Sequence, residues 1–441
     1  MKKQYDCIVM GAAGRDFHVF LSFLRGNEHF RVKAFTATQI PFITERKFPQ
    51  ALAGPGYEDD IPIYDEAELP RLIDEMHIDF VFFAYSDISH ADLMHKSSMV
   101  QAAGASFIIA GPDHTQLVSD KPVVSITATR TGAGKSPLTQ FLARYLTDQG
   151  KKAAVIRHPM PYGNLAMQAV QRFATPEDLD RHECTIEERE EYAPYVDMGI
   201  PIYAGVDYQG ILDESSREAD IVMWDGGNND FSFIRPDLDI VVVDALRAGH
   251  EIDYFPGEVN FRRADILVIG KANSAAPGAV EGIRERAKAL NPDALIVTAD
   301  LEVAIDRPEL IEGRKVLVIE DGPTVTHGGM AFGAGIVAAE RQGATPVEPR
   351  PYAVGTIADT YEAYPHMQRI LPAMGYSEEQ RKSLAETINA CAAAEQIACV
   401  VDASPARLDR MLKIDVPMAR VTYRFRQIDG DPIEERVLGL I

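Results

Sequence analysis

The nine residues Ala128–Ser136, A-T-R-T-G-A-G-K-S, constrain this chain more than any other stretch. They follow the apolar run K-P-V-V-S-I-T-A-T and open a segment in which Leu138, Phe141, Leu142 and Tyr145 recur at helical spacing. A strand, a glycine-rich turn and a helix in that order are the context in which G-K-S reads as a phosphate-binding loop. Small residues let successive backbone N–H groups converge on one oxyanion. The helix N-terminus adds the positive end of its dipole. On this basis Thr131, Gly132, Ala133, Gly134, Lys135 and Ser136 are the predicted nucleotide cradle. Lys135 is expected to reach the β- and γ-phosphates, and the Ser136 hydroxyl to ligate magnesium. Two residues depart from the usual pattern. Thr129 stands where the first glycine is expected. Pro137 sits in the first helical turn, which tolerates proline but loses one N–H.

The remaining apolar runs have strand length and alternate with helical patterns. In the first part of the chain they are Y-D-C-I-V-M-G (5–11), R-V-K-A-F-T-A-T, I-D-F-V-F-F-A-Y and S-F-I-I-A-G. A second series runs through 122–129, 153–157, 221–225, 240–244, 266–270, 294–298 and 315–320. Strand–helix alternation predicts parallel, doubly wound sheets. The expected class is α/β: a Rossmann-like domain over 1–118, a P-loop domain over 119–345, and an α+β region over 346–441.

With a net charge of −22, the surface repels nucleic acid and anionic membranes, and neither is an expected partner. Cys7, Cys184, Cys391 and Cys399 form no C-x-x-C pair, which predicts reduced thiols in a cytoplasmic protein. No apolar run approaches the roughly 20 residues that span a bilayer, and the N-terminus reads as a first strand and not a secretory signal.

Further candidates lie at strand ends, where open α/β sheets bind ligands. I-V-M-W-D-G-G (221–227) has Walker-B form, which makes Asp225 a predicted magnesium ligand and catalytic residue. Asn228, Asn229 and Asp230 follow it and could orient a nucleophile or a second metal ligand. Arg130, inside the loop, could stabilise charge on transferring phosphates or could be an exposed loop arginine. In G-K-A-N, Lys271 and Asn273 stand where a guanine-reading N-K-x-D would stand. The missing aspartate favours ATP and leaves GTP open. Arg157-His158, Arg181-His182, Arg247 and His250 are basic residues in an acidic chain, and together they predict a polyanionic second substrate, a small phosphorylated or carboxylated acid. The run T-I-E-E-R-E-E-Y (185–192) reads as a solvated helix. G-A-A-G-R-D-F-H (11–18) lacks the G-x-G-x-x-G dinucleotide pattern but leaves room for an anion. Length alone is compatible with a homodimer.

R-H-P-M-P-Y-G, F-A-T-P-E-D-L-D-R-H-E-C-T, Y-A-G-V-D-Y, W-D-G-G-N-N-D-F, A-G-H-E and H-G-G-M-A-F-G-A-G together resemble the cyclic 2,3-diphosphoglycerate synthetase family and its bacterial relatives labelled predicted GTPases. The resemblance spans nearly the whole chain. It implies a magnesium-dependent synthetase in which ATP activates one phosphate of a small acid and a neighbouring group displaces inorganic phosphate. A regulatory or metal-delivery NTPase acting on a protein partner is the alternative.

Overall fold

The computed structural model describes residues 4–12, 14–38, 46–158, 165–227, 230–326, 329–374, 377–404 and 408–441. Two compact units emerge. The first comprises 1–172, 200–299 and 427–441, and the second 173–199 and 300–426. The expected boundaries at 118 and 345 do not coincide with this division. Residues 300–344 pack with 345–426 because the strand Lys315–Asp321 pairs with Thr345–Pro346, Leu371–Ala373 and Cys399–Asp402. The run 315–320 therefore belongs to the second unit.

The first unit contains two large sheets and the two-stranded antiparallel pair of Ile88–Ser89 with Tyr254–Phe255. In one large sheet, the strand order is Lys47–Phe48, Ile61–Asp65, Phe30–Ala37, Tyr5–Met10, Phe80–Phe83, Ser106–Ile109. All these pairings are parallel except that of the two-residue edge strand Lys47–Phe48. Tyr5–Met10 is central, and its C-terminal residues Cys7–Met10 are fully buried. The chain first adds strands on one side of it and then crosses to Phe80–Phe83 on the other. The order thus reverses between these two strands. Crevices at such reversals, beyond the strand C-termini, are where open sheets take ligands. Gly11, Ala12, Gly14 and Arg15 follow one of these strands at this reversal, and residues 84–89 follow the other.

The second sheet runs Ile202–Ala204, Ala153–Ile156, Ile221–Trp224, Val123–Ala128, Leu238–Asp244, Ile266–Gly270, then the strand beginning at Leu295, all parallel. Both faces of a parallel sheet are covered, so its strands read as unbroken apolar runs. This is why the sequence announced them so clearly. Val123–Ala128 is buried at every position. It feeds the helix Lys135–Asp148, whose Leu138, Leu142 and Leu146 are fully buried.

Aromatic packing joins the two sheets of this unit. His18 stacks on Phe233 with centroids 4.2 Å apart, and its Nε2 donates to the Thr115 carbonyl at 2.8 Å. Burial lowers the His18 pKa from 6.5 to about 3. Between those values the unfolded chain binds the extra proton, so stability present above pH 6.5 is lost as pH falls toward 3. The expected slope is about 1.4 kcal/mol per pH unit for this one group. Urea unfolding at pH 4.5 and 7 should show a smaller difference for His18→Gln than for the unsubstituted protein. An identical difference would mean that His18 is not held neutral.

In the second unit, Lys315–Asp321 is the central strand, parallel to its neighbours, and Val316–Ile319 are fully buried. The helix predicted for 185–192 exists as Ile186–Asp197 but is solvated on one face only. Glu188 is buried because it closes a capping box: its carboxylate accepts the Thr185 N–H at 2.8 Å, and its own N–H donates to the Thr185 hydroxyl at 3.2 Å. Tyr192 and Tyr195 are buried on the same helix. Among the described residues no helix is long and apolar enough to cross a membrane.

Candidate active site

The P-loop is built as its spacing requires. Gly132 and Gly134 have φ of 76° and 112°, left-handed values that a side chain would strain. Gly134 caps the helix that begins at Lys135. Lys135 is buried, at 9% exposure. Pro137 lies in the first turn of the helix.

The Walker-B strand Ile221–Trp224 lies beside the P-loop strand and ends at Asp225, which is wholly buried. Asp225 Oδ1 accepts from the Thr139 hydroxyl at 2.9 Å. Arg157 then ties three features together. Its Nη1 donates to Asp225 Oδ2 at 2.8 Å, to the Asp225 carbonyl at 3.0 Å and to Ser136 Oγ at 3.2 Å. The two predicted magnesium ligands therefore share one hydrogen-bonding partner. One carboxylate and one hydroxyl fit magnesium, which takes few protein ligands and completes its shell with phosphate and water. Among the described residues no group of three or more His, Cys, Asp or Glu gathers as a denser metal site.

The opposite wall is cationic. Asp244, buried at the end of Leu238–Asp244, receives Arg247 Nε at 2.9 Å and Lys271 Nζ at 3.0 Å. Each cation also donates to a P-loop carbonyl: Arg247 Nη2 to Thr131 at 2.5 Å, and Lys271 Nζ to Gly132 at 2.7 Å. Burial lowers the Lys271 pKa, and Asp244 opposes the shift. Lys271 and Arg247 thus brace the loop from behind. Asn273 is exposed in the turn that follows.

Arg130 is neither an exposed loop residue nor free to move. Its Nε donates to Asp87 at 2.6 Å, Nη1 meets His250 Nδ1 at 2.5 Å, and the guanidinium lies 3.6 Å from the Tyr254 ring centroid. Burial, then Arg130, lowers the His250 pKa. His158 points to a separate cluster, with Nε2 3.0 Å from Asp230 Oδ2. Asn228 and Asn229 lie outside the described residues. Arg181 and His182 belong to the second unit. There Arg181 is largely exposed and donates to Asp178 at 2.8 Å, while His182 packs edge-on against Phe173. Asp87 and Asp244 went unnoticed in the sequence. A carboxylate closing an apolar strand run was the available signal for Asp244, as it was for Asp225.

The chain is 52% identical over 438 residues to the arginine synthetase ArcE of Thermococcus kodakarensis, a match covering 99% of this chain and 97% of that protein. It belongs to the same family. The chain is accordingly an enzyme of the ATP-dependent ligase or synthetase class. No family model matches it. Likenesses to solved structures are remote. LpxK from Aquifex aeolicus in complex with ATP matches at 11% identity and TM-score 0.39, over 74% of this chain and 89% of that one. The hydrogenase maturation factor HypB from Archaeoglobus fulgidus matches at 18% and 0.29, over 41% and 81%.

Proposed function

We propose that this protein makes arginine at the expense of ATP. The observation that carries this proposal is the end-to-end identity with a protein of that name, in a chain whose P-loop, Ser136 and Asp225 are assembled. Arginine ends in a carbon bonded to three nitrogens. The direct route to that group is phosphoryl activation of a ureido oxygen, followed by displacement of phosphate by ammonia. ATP, a ureido amino acid and ammonia then give arginine, ADP and phosphate. The P-loop backbone and Lys135 would hold the β- and γ-phosphates. Ser136 and Asp225 would hold magnesium, which when bound offsets negative charge on the phosphates. Arg157, at the junction of these two ligands, would face the transferred group. Lys271 and Arg247 would keep the loop carbonyls turned away from the anion.

Cyclic anhydride closure on 2,3-diphosphoglycerate, implied by the sequence resemblance, uses the same phosphoryl step with a different acceptor. Phosphate release from ATP and magnesium distinguishes the two. Release that requires citrulline and ammonium, with arginine as product, supports the proposal. Release that requires 2,3-diphosphoglycerate would replace it with the cyclase. Release indifferent to both would favour an NTPase acting on a protein partner.

A further inference from the structure

Arg15 is buried to 2% exposure at the sheet reversal between Tyr5–Met10 and Phe80–Phe83. None of its three guanidinium nitrogens has a hydrogen-bond partner among the described residues. The nearest carboxylate oxygen is Asp230 Oδ1, 3.8 Å from Nη1, an ion-pair distance but not a hydrogen bond. Phe231 and Phe255 flank the guanidinium, with ring centroids at 4.3 and 5.0 Å. Burial lowers the Arg15 pKa, and Asp230 and Asp16 oppose the shift. A buried guanidinium with five unpaired donors is costly unless something completes it.

The surroundings are organised around the same spot. Asp230 accepts from the Ser86 hydroxyl and lies beside His158. Ser86 comes from the loop after Phe80–Phe83, so both sides of the first sheet's reversal contribute. His158 and Asp230 come from the ends of two strands of the P-loop sheet. A Cβ on Gly14 would land 1.6 Å from His158 Cε1, so the Arg15 turn approaches the P-loop sheet as closely as only glycine permits. His158 is also the chain neighbour of Arg157, which bonds Ser136 and Asp225. Arg15 is thus linked through Asp230 and His158 to the chain neighbour Arg157 of the phosphoryl-transfer constellation.

We propose that Arg15 receives the α-carboxylate of the acceptor amino acid, anchoring the end of the acceptor remote from the reacting group. This rests on the assignment of the protein as an arginine synthetase. A carboxylate matches the planar fork of the guanidinium bidentately. The neighbouring Asp230 carboxylate disfavours an acceptor that brings more negative charge there than one carboxylate. A phosphate is the other oxyanion that the fork could take, and 2,3-diphosphoglycerate serves as its probe.

The test compares citrulline with its decarboxylated analogue N-carbamoylputrescine, using the full-length protein with ATP, magnesium and ammonium. The unsubstituted enzyme should prefer citrulline by about a hundredfold in kcat/KM. Arg15→Met should lose about that factor with citrulline, little with the analogue, and nothing in the KM for ATP. Arg15→Lys, which keeps the charge but not the fork, should recover part of the preference. Equal losses on both acceptors, or a preference that survives Arg15→Met, would overturn the proposal and assign Arg15 to holding the fold. If Arg15→Met does not fold, Arg15→Lys alone decides, since undiminished preference there would exclude the fork. If the unsubstituted enzyme turns over 2,3-diphosphoglycerate and not citrulline, the arginine synthetase assignment itself fails, and the α-carboxylate role fails with it.

Discussion

Lys135→Ala should lower single-turnover phosphate release by at least about a thousandfold while leaving the protein folded. The loss follows from position. Lys135 is the first residue of its helix, follows the left-handed Gly134 and is buried at the mouth of the loop. In the proposed site its ammonium would sit against the charge that develops on the transferred phosphoryl group. A single oriented donor in a water-poor site is worth two to three orders of magnitude, and a full charge more. Stability should change little. Alanine is the best helix former, and the truncation removes a charge from a buried place. Lys135→Arg is the informative companion. Its wide planar fork does not fit a cradle shaped by Gly132 and Gly134, so it should rescue little although it keeps the charge. Turnover undiminished in Lys135→Ala would remove the loop from the chemistry. Circular dichroism and thermal melting would show whether a loss reflects unfolding.

The parts of this site that are local in the chain could be read from the sequence. A strand, a glycine turn and a helix occupy consecutive residues, so the P-loop and its flanking elements were legible as a string. Asp225 was legible for the same reason, as the polar end of an apolar strand. The parallel sheets were legible because strands buried on both faces carry unbroken apolar runs. What depends on the meeting of distant segments was not legible. Nothing in R-H-P-M-P-Y-G says that Arg157 bonds both Ser136 and Asp225, or that His158 turns instead toward Asp230. Arg15 could be seen only as part of an anion-ready turn, because its isolation depends on Ser86, Asp230 and Phe255 arriving from other strands. Lys271 was singled out by its sequence position, which could not say that its ammonium donates to the Gly132 carbonyl and to Asp244. The run 315–320 looked like one more strand of the same series. Its periodicity could not say that its partners come from 345–402, because strand pairing is a property of the fold and not of the strand.

Asp225→Asn should reduce activity by about a hundredfold or more, raise the magnesium concentration needed for half-maximal rate, and lower stability. The first two effects share a cause. The amide keeps the shape and can still accept from Thr139, but it loses the charge that a divalent cation requires. An unchanged magnesium titration would remove Asp225 from the metal site. The stability effect has a different origin, which can be isolated. Arg157 and Asp225 form an ion pair with side chains 9% and 0% exposed. Removing one partner of such a pair typically costs about 3–5 kcal/mol, because the other charge stays buried without its counterion. That cost belongs to the uncompensated guanidinium and not to the lost carboxylate. Adding Arg157→Met to Asp225→Asn should therefore return part of the lost stability, so that the double variant unfolds at higher denaturant than Asp225→Asn alone. Activity should not return with it, since neither substitution restores a magnesium ligand. A double variant less stable than either single one would mean that Arg157 supports the fold through contacts other than Asp225. The pair would then be a structural strut that happens to border the P-loop.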